Sequence, residues 1–107
     1  MVSGIAVEWG STIYLKYECQ ELQADDSYLN ITPDTYEAWL ETAESKPQQV
    51  MQLDVIDSGE TGIYYVRFYA DKTTVDCPKA YYIAFYYTYQ GDTICQRELV
   101  KVLPDVR

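Results

Sequence analysis

The sequence contains no histidine. Imidazole is the usual general base at neutral pH and the commonest nitrogen ligand of metal ions. Its absence therefore excludes Ser-His-Asp and Cys-His nucleophile pairs and histidine-ligated metal sites. The glycine-rich phosphate motifs G-x-x-x-x-G-K and G-x-G-x-x-G are also missing, so nucleotide binding finds no support.

Cationic residues are scarce. Eight Lys and Arg stand against seventeen Asp and Glu, which gives a formal net charge of −9. Nucleic-acid backbones and anionic membrane surfaces repel such a surface, and we expect neither as a partner. A small acidic inhibitor that mimics nucleic acid is a third functional hypothesis, but it needs carboxylates clustered on one face, and these are dispersed along the chain.

Only three cysteines occur, Cys19, Cys77 and Cys95, and they form no C-x-x-C pair. Without histidine, the Cys/His zinc patterns are excluded. The odd count and wide spacing favour reduced thiols that act as small apolar side chains. One disulfide with a third, free thiol is the alternative.

The acidic clusters match no catalytic or metal-binding pattern. Asp25-Asp26 and the run at 54–60 offer oxygen ligands, but neither has the spaced acids and glycine of a calcium loop. Glu37 and Glu41 could be nominated as a glycosidase pair, yet a domain of this size has little room for a substrate cleft. We expect no metal, no cofactor and no catalytic residue.

Long hydrophobic runs are absent too. No stretch approaches the roughly 18 consecutive apolar residues of a membrane span, and the start, MVSGIAVEWGSTIY, lacks the basic and apolar regions of a signal peptide. We therefore expect neither segment in this chain. Its 107 residues fit a single domain, 1–107, and 48% apolar residues suffice for one core.

Apolar and polar residues alternate with a period of two along much of the sequence. Ile13, Leu15, Tyr17 and Cys19 share one phase and polar residues the other, as a half-buried strand requires. The same alternation predicts strands at 5–9, 50–56 and 63–70, in the tyrosine-rich stretch that ends at the 90–92 turn, and at 93–103.

The segment 33–43 has two interpretations. The T-P-D step at 32–34 is a good helix start, and apolar residues follow at helical spacing. Tyr36, Ala38 and Leu40 also alternate with acidic residues, as in a strand. We favour the strand because the other segments are strands, and keep one short helix near residues 33–43 as the alternative.

The sequence also supports structural predictions for two further segments. Residues 20–30 are polar and acidic, which predicts a loop that wraps back to the sheet. In the last strand, Ile94 lies on the same side as Val100 and Val102 only if the polar Gln96 and Glu98 also face inward. A β-bulge near Glu98-Leu99 would avoid this, because it would shift the alternation by one residue.

About seven short strands with turns between them predict an all-β fold, a single antiparallel β-sandwich.

Residues 57–65, DSGETGIYY, resemble the Asp-x-Gly-x-Tyr corner of immunoglobulin-like domains. Four segments follow one another along the chain: GSTIYLKYE, ITPDTYEAWLET, DVIDSGETGIYYVRFYA and AYYIAFYYTYQGDTICQRELVKV. Together they resemble the small immunoglobulin-like β-sandwich modules of tailed-phage virion proteins and prokaryotic surface proteins. The resemblance implies a non-enzymatic building block of a tail, neck, capsid or adhesive appendage, located in the virion, and it favours a strand at 35–42.

Twelve tyrosines against two phenylalanines indicate rings that keep a hydroxyl near water or a partner. KAYYIAFYYTYQ places rings in both phases of one strand, so only one set faces the core. We expect Tyr82 and Tyr86, with Tyr65 and Tyr69 of a neighbouring strand, to form an outer stripe that docks like subunits or a larger virion scaffold. The 20–30 loop or a short helix could instead cover this stripe, or it could stand without a partner.

A carbohydrate-binding or adhesion module is the alternative functional hypothesis. It would use the same tyrosines as stacking platforms and acids such as Glu37 or Asp92 to bind sugar hydroxyls. A free aromatic face on a monomer would favour the sugar, and a face buried between chains would favour assembly.

Overall fold

The computed structural model describes residues 4–105, and every regular element in that range is a β-strand. Segment 33–43 contains a strand and no helix, so the favoured interpretation is confirmed and the short helix is wrong. The nine strands are β1 (Ile5–Glu8), β2 (Thr12–Glu18), β3 (Gln20–Leu22), β4 (Tyr28–Asn30), β5 (Thr35–Thr42), β6 (Gln49–Asp57), β7 (Ile63–Tyr69), β8 (Lys79–Tyr89) and β9 (Asp92–Leu103).

Seven strands form one nearly closed sheet in the order β1-β9-β8-β5-β6-β7-β2, and β3 and β4 form a small separate hairpin. Neighbours in the large sheet are antiparallel except β1 and β9, which are parallel. The sheet is therefore mixed, and the prediction of a purely antiparallel sheet is wrong. The loop predicted at 20–30 is wrong as well, because it contains β3 and β4. Their three-residue length gives too little alternation to be seen in a sequence.

β6 turns the sheet around the core. Its residues up to Leu53 pair with β5, whereas those from Asp54 onward pair with β7. The ring of Tyr17 on β2 consequently stacks on the ring of Phe85 on β8, with 5.1 Å between centroids. β2 and β7 thus pack across the interior from β8 and β5.

The core is built from the alternating residues that the sequence indicates. The predicted inner set of β8 is buried: Tyr81, Ile83, Phe85 and Tyr87 are each 3% exposed or less. A buried phenol needs a hydrogen-bond partner. Tyr17 donates its hydroxyl to the Ile83 carbonyl at 3.2 Å, and the hydroxyls of Tyr81 and Tyr87 accept from backbone N–H groups. This explains why a core can be rich in tyrosine and poor in phenylalanine.

β8 and β9 form the longest hairpin of the sheet. Gln90 and Gly91 have φ of 52° and 85°, as a two-residue type I′ turn requires. Pairing then runs without a register shift from Tyr89 and Asp92 to the far end of β8. The bulge predicted near Glu98 is therefore wrong: Gln96 and Glu98 do lie on the inner side of β9. A register shift does occur elsewhere in the sheet, between β5 and β6 at Leu40 and Glu41.

The β3–β4 hairpin, called the arm below, is anchored to the start of β7. Cys19 N donates to Gly62 O at 2.8 Å, and Ile31 N donates to Cys19 O at 2.9 Å. The Asn30 side chain adds a bond to the Thr61 carbonyl at 3.3 Å. The arm thus depends on a close backbone approach at Gly62. Within residues 4–105 all cysteines are free thiols.

Candidate functional site

The structure separates the four tyrosines of the predicted interface into two pairs. Tyr65 and Tyr69 lie on β7, and Tyr82 and Tyr86 lie on β8, with β5 and β6 between the two strands. Because the sheet turns at β6, the outer surfaces of β7 and β8 face away from each other. The expectation that these strands are neighbours is wrong, since chain order alone does not reveal which strands pair.

The outer surface of β2, β7 and β6, called the β7 face, is the more exposed of the two. Cross-strand pairing places Tyr14 opposite Arg67 and so diagonally beside both Tyr65 and Tyr69. Tyr14 is 57% exposed, Tyr69 41% and Ile56, which pairs with Tyr65, 43%. These side chains form an exposed aromatic patch among the charged Lys16 and Arg67, and exposed apolar patches bordered by polar residues often mark sites of interaction.

The outer surface of β5, β8 and β9, called the β8 face, is organised around Ala84. Register places this alanine between Trp39 and Arg97. The neighbouring tyrosines of β8 are half-buried, and Ala84 itself is fully buried. A methyl group leaves room for larger side chains to lie across it from both neighbouring strands, which explains a buried residue on an outer surface.

A polar cluster of three side chains covers Ala84. Arg97 Nε donates to Glu41 Oε1 at 2.9 Å, and the Tyr86 hydroxyl donates to Glu41 Oε2. Arg97 also donates through Nη2 to the Tyr86 hydroxyl at 2.9 Å. Glu41 is only 2% exposed, so its carboxylate depends on these partners for solvation. The cluster holds the ring of Tyr86 and the guanidinium of Arg97 in fixed positions.

The pKa shifts around this cluster do not favour nucleophilic chemistry. Burial raises the pKa of the Cys95 thiol, and although Arg97 and Tyr86 act in the opposite direction the net shift is upward. A thiol in that state is protonated at neutral pH and is a poor nucleophile. Burial, followed by the hydrogen bond to Glu41, raises the pKa of Tyr86 to about 12. The arrangement can bind and orient, but it offers no activated group.

Alkaline pH is expected to destabilise the fold. Burial raises the pKa of Tyr17 and of Tyr64, and it contributes most to the raised pKa of Tyr86. The unfolded chain loses these phenolic protons first, so stability is complete below the ordinary pKa of about 10 and falls as pH rises through about 12. Urea unfolding at several pH values should show this decline. Tyr86→Phe should make it shallower, and an unchanged slope would contradict the assignment.

Sequence reasoning missed Trp39 and Arg97, and it considered Glu41 only as one acid of a glycosidase pair. Glu41 follows Glu37 in a polar phase, which suggested a solvated outer position, and nothing in the sequence pairs it with Arg97. The indole Nε1 of Trp39 is buried, and no acceptor among residues 4–105 lies within hydrogen-bond distance of it.

The two acids nominated for sugar binding lie in different surroundings. Glu37 lines a shallow cavity of about 320 Å³ beside Tyr86, together with the hydroxyl-bearing Thr35, Thr88 and Thr93. Asp92 is exposed at the start of β9 and does not line this cavity. In the part of the chain that the structure describes, no group of three or more Cys, Asp and Glu side chains could hold a metal ion.

No family model and no curated protein matches this chain. Among residues 4–105, no helix has the length and apolar content needed to cross a lipid bilayer.

Proposed function

We propose that this chain is a non-enzymatic interaction module that assembles with like subunits, or with a larger scaffold, through outer tyrosines of its sheet. The observation that carries the proposal is the β7 face. Tyr14 lies there diagonally beside Tyr65 and Tyr69, Ile56 pairs with Tyr65, and Tyr14, Tyr69 and Ile56 are exposed. Tyrosine provides contact area at low entropic cost and a hydroxyl that tolerates water, which is why it is enriched where proteins meet.

The charges on the β7 face support the same function. Lys16 and Arg67 lie among its tyrosines, although the chain as a whole carries −9. Lys16 pairs with Glu18 at 3.4 Å, and Asp54 stands opposite Arg67. This face is therefore close to neutral and meets less repulsion from another copy than the acidic rest of the surface would. The strands that carry these residues are held by backbone hydrogen bonds on both sides of β7, so little order has to be created on binding.

A structural role in a virion extends this proposal. The way β6 passes from β5 to β7 and the packing of β2 across from β8 support an immunoglobulin-like sandwich arrangement. With the sequence resemblance to phage virion modules, this favours a component of a tail, neck or capsid assembly. Neither a nucleic acid nor a membrane is proposed as a partner, because of the net charge of −9.

The oligomeric state in solution tests the proposal. Light scattering should give the mass of an oligomer for the unmodified chain and of a monomer for Tyr14→Ser/Tyr69→Ser, with circular dichroism showing that the variant remains folded. Both rings are exposed, so their loss should cost less than about 1 kcal/mol of stability.

Tyr28→Ser is the matched control, because Tyr28 is 67% exposed but lies on the arm. It should leave the oligomer intact. Tyr82→Ser examines the β8 face in the same way. A monomeric unmodified chain at about 100 μM would rule out assembly with like subunits at any useful affinity.

Carbohydrate binding is a second candidate function, favoured by the cavity next to Tyr86. Three threonines and Glu37 line it beside a ring that the Glu41 cluster holds in place, and the Thr35 and Thr88 hydroxyls are hydrogen-bonded to each other at 2.6 Å. Its volume of about 320 Å³ suits one sugar ring rather than a chain. A monomer whose Glu37 and Tyr86 resonances shift on addition of a monosaccharide would favour this function over assembly.

A further inference from the structure

The sheet remains open along one seam. β2 stands at one end of the strand order and pairs with β7 alone, while β1, at the other end, pairs only with the part of β9 from Val100 onward. The first part of β9 therefore has a free edge beside β2. A cleft of about 180 Å³ lies between them, lined by Leu15, Lys16, Tyr17, Gln96, Arg97 and Glu98.

Every second residue of β2 points its backbone N–H and C=O groups into this seam. Ala70 N donates to Ser11 O at 2.9 Å, and by the alternation of an antiparallel ladder the odd-numbered residues of β2 likewise face β7. The N–H and C=O groups of Thr12, Tyr14 and Lys16 therefore point away from β7, where no strand pairs with them. Such a row is a ready template for an added strand.

Polar side chains line the inner side of β9 along the seam. Gln96 Nε2 donates to the backbone oxygen of Glu18 at 2.8 Å, so a side chain satisfies a carbonyl that a strand would otherwise bind. Glu98 also lies on the inner side, where it pairs in register with Ile83. It is exposed, and no cation of residues 4–105 lies within ion-pair distance of its carboxylate.

We propose that this seam binds an extended segment of a partner protein, which adds as a strand to the free edge of β2 and carries a lysine or arginine toward Glu98. Main-chain hydrogen bonds to Tyr14 and Lys16 would supply affinity, and the alternating side chains would supply specificity. Lys16 and Arg97 also line the cleft, but they are paired with Glu18 and Glu41. A basic segment fits because Glu98 is the charge left without a partner there and the chain carries a net charge of −9. This site goes beyond the proposed function, and it uses the backbone of Tyr14 but no tyrosine side chain of the β7 face.

The occupant is a single strand and not the β2 edge of a second copy. Tyr17 stacks on Phe85, so β8 lies beneath β2 and the adjoining β9 lies beneath the seam. A second copy that paired through its own β2 would bring its own β8 to the position that β9 already occupies. A lone extended segment brings no second layer and avoids that collision.

Amide hydrogen exchange of the intact chain, followed by NMR, tests the template directly. The N–H groups of Tyr14 and Lys16 should exchange at least about tenfold faster than those of Ile13 and Leu15, which donate to β7. The probe is a blocked peptide of alternating sequence, acetyl-TVTKTVTKTV-amide, at about 1 mM. It should slow exchange at Tyr14 and Lys16 by about tenfold or more, and an N-methylated peptide of the same sequence should not.

Charge reversal tests the recognition of a cation. Glu98→Lys should weaken binding of the lysine peptide by about tenfold and favour a peptide with glutamate in place of lysine. Glu44→Lys is the matched control, because it makes the same change of net charge at an exposed position between β5 and β6 and should leave the preference unchanged. Equal exchange at odd and even positions of β2, or binding that Glu98→Lys does not alter, would overturn the proposal.

Discussion

Gly62→Ala is expected to lower the free energy of unfolding by about 3 kcal/mol or more. Gly62 has φ of +72°, where a side chain is strained. A Cβ atom there would lie 2.7 Å from the Ile31 carbonyl oxygen and 2.8 Å from that of Cys19. Both obstacles are backbone, so relief requires moving the junction of the arm with β7.

Thermal unfolding followed by circular dichroism measures this effect, and a drop in Tm of roughly 10–20 °C corresponds to it. Gly59→Ala is the matched control. Gly59 also has positive φ, +88°, but nothing lies within 4 Å of the added carbon, so it should cost only about 1 kcal/mol. Equal losses in the two variants would show that conformational strain, and not the close approach to the arm, determines the cost at Gly62.

Arg97→Ala is expected to cost about 3 kcal/mol, because it leaves the buried Glu41 carboxylate with Tyr86 as its remaining partner in the cluster. The value lies toward the low end for a broken buried pair, since the Arg97 side chain is 39% exposed and part of its interaction is screened by water. Urea unfolding at neutral pH gives the loss.

Two variants separate the roles of Arg97. Arg67→Ala is the matched control, because Arg67 belongs to the β7 face and forms no ion pair with residues 4–105; its cost should stay below about 1 kcal/mol. The double change Glu41→Leu/Arg97→Met should recover most of the loss, because it removes the buried charge with its partner. A double variant no more stable than Arg97→Ala would show that packing, and not the unpaired charge, is decisive.

Alternation in the sequence was enough to predict much of the fold. The inner phases of β2 and β8 are confirmed, and so is the turn between β8 and β9, because each depends on neighbouring residues. The strand at β5 could be preferred over a helix for the same reason. Its alternating residues pack between β6 and β8, so tertiary pairing overrides a good helix start.

What the sequence could not show is which strands meet. The division of Tyr65 and Tyr69 from Tyr82 and Tyr86 follows from the turn at β6, where pairing changes from β5 to β7. The cluster of Glu41, Tyr86 and Arg97 could not be predicted for the same reason, because its residues come together only when strands distant in sequence pair. Glu41 is buried because Arg97, distant in sequence, crosses Ala84 to reach it.

The polar residues on the inner side of β9 have a different cause from the one that the sequence suggested. Gln96 and Glu98 interrupt an otherwise apolar set of inward residues, and the local explanation was a β-bulge. The register is regular instead, and these residues lie where the sheet stays open. A polar interruption in a strand can therefore mark a gap in the surrounding structure and not a distortion of the strand itself.

The parallel pair β1–β9 constrains the order in which the chain can fold. A hairpin such as β8–β9 closes within about 1–10 μs, whereas β1 must await a partner at the other end of the described chain. At about 5–20 residues per second, synthesis leaves β1 unpaired for several seconds. β2 also waits, until β7 has emerged. Of the strands described, the two that leave the ribosome first are thus among the last to pair, and the sheet should form only after β9 has emerged rather than strand by strand during synthesis.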